Sequence, residues 1–173
     1  MAVILLILVL TGFYLSWRAT RLDRLHHRVE TARAALDAAL LRRAAAVLDL
    51  VASDRLDPAS ATVLTAAANR ARRADDDHRE LAESALSVAL RTTLAGHGGP
   101  TADPWRAEVL LAARGVHLAR VFHNDAVSDT RRARRSRLVR VLRLAGTAAL
   151  PDYFEMDDQV TVTARTRPRA DPD

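Results

Sequence analysis

An all-α fold is predicted, with an N-terminal transmembrane helix continuing into an antiparallel up-and-down bundle of three long helices, or four if the second is broken. Three observations predict it. Ala and Leu together make up 59 of the 173 residues, and only 4% are aromatic. This is a helix-former's composition, poor in the β-branched and aromatic residues of strands. The six Pro stand at 58, 100, 104, 151, 168 and 172 and Gly clusters at 96, 98 and 99, leaving long stretches without a breaker. Apolar residues between them recur at three- and four-residue steps, as on one face of a helix. Cysteine is absent, which excludes disulfides, thiolate metal sites and cysteine nucleophiles. All 26 basic side chains are Arg, giving a net charge of +5. Codon composition accounts for that total as well as binding does, so only the placement of charge carries information.

Residues 1–18 read as a membrane anchor. The run 2–17, AVILLILVLTGFYLSW, carries no charge, and as a helix it spans roughly 24 Å, close to the hydrocarbon thickness once its ends are counted. A cleaved signal peptide needs a basic leader and a small-x-small cleavage site, and neither is visible. Tyr14 and Trp17 suit the headgroup region, and Arg18, Arg21, Arg24 and Arg28 follow. By the positive-inside rule the N-terminus lies outside and the body in the cytoplasm, at the cell membrane.

Residues 19–156 read as the bundle. The first stripe is Leu22, Leu25, Val29, Ala32, Leu36, Leu40, Val47 and Val51, in a helix continuous with the anchor. Asp54 to Pro58 ends it. A second helix runs to Leu94 with a coiled-coil seam of Leu64, Ala67, Ala71, Ala74, His78, Leu81, Ala85 and Val88, near a 3.5-residue repeat. Arg72 to Asp77 crowds that seam with charge, which is where a break would give four helices. Gly96 to Pro100 is a turn, and Asp103-Pro104 looks like a cap opening a third helix from Trp105 to about Leu144. Similar lengths with short connections imply antiparallel neighbours. Residues 157–173, polar and without an apolar cluster, are expected to be disordered.

Three blocks resemble the LemA family. Ala32 to Val51 has an Asp on an amphipathic helix, a paired Arg five residues on and an aliphatic run: Asp37, Arg42, Arg43 and Val47 to Val51. Ala119 to Val127 has an Arg before an aromatic-Asn-Asp-x-Val pattern, matched at Arg120, Asn124, Asp125 and Val127. Pro151 to Glu155 resembles the family's closing Pro-x-Tyr-Phe-Glu. His123 replaces the usual Tyr, Thr130 and Arg131 replace a Tyr-Asn pair, and a Pro in the first run is absent. The resemblance covers residues 1–157. It implies a membrane-anchored helical bundle with a cytoplasmic body, in a family without a settled biochemical activity.

No catalytic, cofactor-binding or metal-binding set emerges from the residues. Asp75 and His78 share a helix face, but a bundle metal site of the carboxylate type needs Glu-x-x-His on two helices. Arg79 to Ser84 resembles a fragment of a Nudix box and lacks that motif's Gly and its clustered carboxylates. The expected function is non-enzymatic: a scaffold or partner-binding module whose interaction candidates are Arg42, Arg43, Arg120, Asn124 and Asp125. The bland alternative pairs Arg42 and Arg43 with Asp125 or Asp129. A metal-dependent enzyme using Asp75 to Glu83 is the competing class.

Arg131, Arg132, Arg134, Arg135, Arg137, Arg140 and Arg143 form a basic cluster with no acid from Thr130 to Pro151. It could lie on anionic lipid, bind nucleic acid, or end the third helix in solvent. Nucleic acid is the weakest fit because stacking aromatics are missing. Lipid contact requires the chain to fold back near Ser136.

Overall fold

The computed structural model describes residues 1–96, 104–136 and 149–158, with the side chains of Arg18 and Ala19 excepted. Among these there are four helices and no strand: α1 (Ala2–Ala52), α2 (Pro58–Arg73), α3 (Asp76–Gly96) and α4 (Pro104–Arg134). One helix, α1, is long and apolar enough to cross a membrane by length and composition. The expected turn from His97, the cap at Asp103 and the tail from Gln159 lie outside the described residues.

The second expected helix is two. Ala74 is extended (ψ 133°). Asp75 then opens α3, its Oδ1 accepting from the His78 amide at 3.1 Å and contacting His78 Nδ1 at 2.6 Å. The crowded charges from Arg72 to Asp77 thus resolve as a helix end followed by a cap. α2 starts on its own cap, with Asp57 Oδ1 accepting from the amides of Ala59 and Ser60, both at 3.0 Å, and Pro58 at the first helical position. Before it, Asp54 takes a left-handed φ of 56° to turn the chain out of α1, a conformation that short polar side chains tolerate better than most.

The chain divides into two compact units, one of Met1–Leu40 with Gly115–Glu155 and one of Leu41–Arg114 with Met156–Asp173. In the second, Val47 and Leu50 of α1, Leu64, Ala68 and Ala71 of α2, Leu86 and Leu90 of α3, and Val109 of α4 form a buried core. α2 and α3 pack as an antiparallel hairpin: α2's first turn lines the same groove as α3's last, and its last turn lines another with α3's first. Arg106 of α4 donates to the Leu94 carbonyl at 3.0 Å, satisfying one orphan carbonyl at the end of α3.

The seam expected for the second helix holds at Leu64, Ala67 and Ala71, which are buried. It fails beyond the break. His78, Leu81 and Val88 are exposed, and α3 buries Ala82, Glu83, Leu86, Ser87, Leu90, Thr93 and Leu94 instead. Two non-helical residues reset the rotational phase, so a repeat counted through them names the wrong face.

In the first unit the expected stripe of α1 is realised: Leu22, Val29, Leu36 and Leu40 are buried and Leu25 and Ala32 partly so. Val29 packs with Ala126 and Val127 of α4. Thr130, fully buried, donates to the Ala126 carbonyl at 2.9 Å, and Arg28 pairs with Asp129 at 2.9 Å. From Val3 to Leu10 the large apolar side chains of α1 are 57–69% exposed.

α4 ends at Arg134, short of the expected Leu144. Arg135 and Ser136 form a closing turn, the amide of Ser136 donating to the Ala133 carbonyl at 3.3 Å. The described chain resumes as an extended segment from Ala149 to Asp158.

Candidate functional site

The sequence candidates fall into two separate constellations. The first is built on Arg43, which α1 carries on its core-facing side between Leu40 and Val47. Its side chain is 0% exposed, and so are Ser87 at 0% and Glu83 at 1%. Arg43 Nη1 donates to Ser87 Oγ at 2.9 Å, while Nη2 donates to Glu83 Oε2 at 2.5 Å and to the Glu83 carbonyl at 3.1 Å. Ser87 Oγ in turn donates to the Glu83 carbonyl at 3.1 Å. Burial pushes the Glu83 carboxyl above the ordinary carboxylate range, and the charge and hydrogen bond of Arg43 pull it back part of the way. Arg43 Nε has no hydrogen-bond partner among the described residues.

This corrects the expected pairing. Arg43 meets Glu83 on α3, and neither Asp125 nor Asp129 takes that role: Asp129 belongs to Arg28, and Asp125 is exposed. Arg42 points the other way, into solvent, because consecutive helical residues lie about 100° apart. Arg43 is therefore a core residue and not part of a surface. Sequence reasoning missed Glu83 and Ser87. The signal was present, since both fall at helical spacing with Leu86 and Leu90 on a face otherwise apolar.

The second constellation joins α4 to the extended segment. Asn124 grips the main chain of Phe154 from both sides, Nδ2 donating to its carbonyl at 3.1 Å and Oδ1 accepting from its amide at 2.9 Å. A side-chain amide thereby stands in for a neighbouring strand. Phe154 is 2% exposed, with the Arg33 guanidinium 5.8 Å from its ring centroid. His123 Nε2–H donates to the Asp152 carbonyl at 3.3 Å, while Nδ1 is buried without a partner among the described residues. Burial pushes this imidazole below its ordinary value, against the opposing influence of that carbonyl.

The basic cluster begins in the same place. Arg131 Nε donates to the Pro151 carbonyl at 2.7 Å, its Nη2 pairs with Asp152 Oδ1 at 2.6 Å, and its guanidinium lies 4.8 Å from the Tyr153 ring centroid. Arg134 Nη1 donates to the Ala149 carbonyl at 2.9 Å. Arg132 and Arg135 are exposed, whereas Arg137, Arg140 and Arg143 lie outside the described residues. Two of the Arg thus hold the extended segment. Arg120 is half-buried. The two motif blocks at Ala119 to Val127 and Pro151 to Glu155 come together through Asn124 and Phe154.

In the second unit Asp157 continues the segment, its amide donating to Ser84 Oγ at 3.0 Å and its carboxylate pairing with Arg91 at 2.8 Å. The acidic-His region is split. Asp75 and His78 stand in solvent as a cap, with the hydrogen bond between them lowering the acid and raising the base, and Glu83 is in the core. Among the described residues no group of three or more His, Asp or Glu is gathered as a metal-ligand set. No known family model, curated protein or solved structure matches this chain.

Proposed function

We propose that this protein is a single-pass, membrane-anchored helical module that holds a protein partner at the membrane without chemistry of its own, a divergent LemA-like scaffold. The observation that carries the reading is the start of α1. Among the described residues no other element covers its apolar side chains from Val3 to Leu10, and the same helix continues without interruption into the buried stripe at Leu22. At roughly 25 cal/mol per Å² of apolar surface, an uncovered run of this kind is strongly favoured in hydrocarbon over water. The Arg residues that follow put the body on the cytoplasmic side of the cell membrane, with the N-terminus outside. The LemA resemblance rests on the three motif blocks, two of which meet at Asn124 and Phe154.

The chain has no cysteine, so a single introduced thiol reports topology without background. The full-length protein is expected to resist alkaline carbonate extraction from membranes, and a chain lacking residues 2–17 to be released. Thr62→Cys, on the exposed face of α2, is expected to react with an impermeant maleimide only after the cell membrane is opened. Labelling in cells whose cell membrane is intact refutes the orientation, and carbonate release of the full-length protein refutes the anchor.

A further inference from the structure

The α2–α3 hairpin carries a second pair of stripes that its own core does not use. On α2, Ala59, Val63, Ala66, Arg70 and Arg73 follow one another at steps of four, three, four and three. On α3, His78, Leu81, Ala85, Val88 and Thr92 do so at steps of three, four, three and four. Both are 3.5-residue repeats, the spacing at which a helix keeps one seam turned toward a partner helix. These residues line two open grooves of about 680 and 590 Å³ that share Ala85, so they form one channel along the hairpin. Its apolar members are left in water: Leu81 is 73% exposed, Val63 53% and Val88 47%. The core-facing stripe of the same helices, Leu64, Ala68, Leu86 and Leu90, is fully buried.

The charge along the channel is one-sided. Arg70 and Arg73 stand at one end, exposed, and neither takes part in an ion pair among the described residues. Asp75, the acid beside them, is engaged by His78 at 2.6 Å and caps α3. The residues at the other end, Ala59, Ser60, Thr92, Thr93 and Gly96, carry no charge. A second copy of this chain does not supply what is missing. Paired antiparallel, the Arg end of one hairpin meets the uncharged end of the other, and paired parallel, Arg meets Arg.

We propose that this channel is a docking groove for a helix of a different protein, patterned at 3.5-residue spacing with Ala and Leu on its contact face and Glu or Asp at the end that lies against Arg70 and Arg73. The inference rests on the partner-binding half of the proposed function, and not on its topology. Small side chains along the groove let the helix approach closely, Leu81 and Val88 provide the knobs, and the paired charges fix its direction and speed its arrival.

The probe is a synthetic helical peptide of about three heptads with Ala and Leu on one seam and Glu in one terminal heptad, alongside a twin with Lys in place of Glu. Binding to the detergent-solubilised full-length chain is read by fluorescence anisotropy. The Glu peptide is expected to bind, to weaken about tenfold or more in the Arg70→Glu/Arg73→Glu variant, and to be replaced there by the Lys peptide. Leu81→Asp is expected to abolish binding while leaving the helical signal unchanged, because Leu81 is outside the core. Equal binding of the two peptides, or binding of neither, overturns the proposal. So does a dimeric full-length chain that Ala85→Glu converts to monomer, since a second copy then occupies the groove. A photoreactive residue at Ala85 or at the exposed Ala45, in native membranes, separates this proposal from the reading beneath it. Adducts from Ala85 that vanish on reversing Arg70 and Arg73 support both. Adducts from Ala45 alone sink the groove and keep the scaffold, and adducts from neither position sink the scaffold.

Discussion

Replacing Arg43 by Met leaves the Glu83 carboxylate alone in the core of the second unit. The substitution preserves most of the volume but removes a guanidinium that makes three hydrogen bonds to Glu83 and Ser87. Each bond to a charged group contributes about 1.5–3 kcal/mol, but they share one desolvation cost, so their sum overstates the loss. Breaking one side of a buried ion pair costs about 3–5 kcal/mol. For a body of this size that is a fall in Tm of roughly 10 °C or more.

The loss depends on pH. With Arg43 gone, its charge and its hydrogen bond no longer hold the Glu83 carboxyl down, so the folded state keeps that proton to higher pH than the unfolded chain does. Between the unfolded carboxylate value and the raised folded one, the folded protein binds more protons. Stability therefore falls as pH rises through that window, and Arg43→Met is worst at pH 8 and mildest near pH 5. Adding Glu83→Leu removes the stranded charge and recovers most of the stability at pH 8, as well-packed apolar replacements of buried pairs commonly do. The measurement is thermal unfolding of the full-length chain in detergent, followed by helical circular dichroism at both pH values and closed as a double-mutant cycle. A single variant that melts like the wild type at pH 8, or a double variant no better than the single, refutes the reasoning.

Phe154→Ala is expected to cost about 3–5 kcal/mol, and Asn124→Ala about 1–3 kcal/mol by stranding the Phe154 main chain. Both are expected to open Ala149 to Asp158 to proteolysis, and unchanged digestion counts against the clamp. His123 is buried and its imidazole depressed, so the unfolded chain takes up the proton first on acidification. Its contribution is present above the ordinary imidazole value and lost as pH falls below it. Once the intrinsic pH dependence of amide exchange is divided out, protection around Asp152 is expected to fall between pH 7.5 and 5.5 in the wild type, and to change little over that range in His123→Gln.

What could be read from the sequence was whatever depends on an unbroken helix. The stripe from Leu22 to Leu40 keeps its phase because nothing interrupts α1. The seam from Leu64 kept its phase only to Ala71, because Ala74 and Asp75 leave the helix and each residue's face depends on every residue before it. Glu83 could be placed on α3's apolar face by its spacing, but its pairing with Arg43 was illegible for another reason. Which carboxylate a buried Arg meets is decided by the facing helix, and composition offers many acids. Asn124 and Phe154 were visible as motif residues, but their meeting bridges thirty positions of chain, a separation over which periodicity says nothing.

The absence of a hinge in α1 has a rotational consequence. A helix carries azimuth as well as length, and between Trp17 and Leu22 nothing can absorb torsion. Every residue added or removed there turns the stripe of Leu22, Val29 and Leu36 by about 100° relative to the apolar segment. The apolar segment is thus a keyed shaft more than a tether. If the proposed anchor holds, a neighbour gripping one side of it would dictate which way the first unit's exposed residues, Asp125 and Arg132 among them, face.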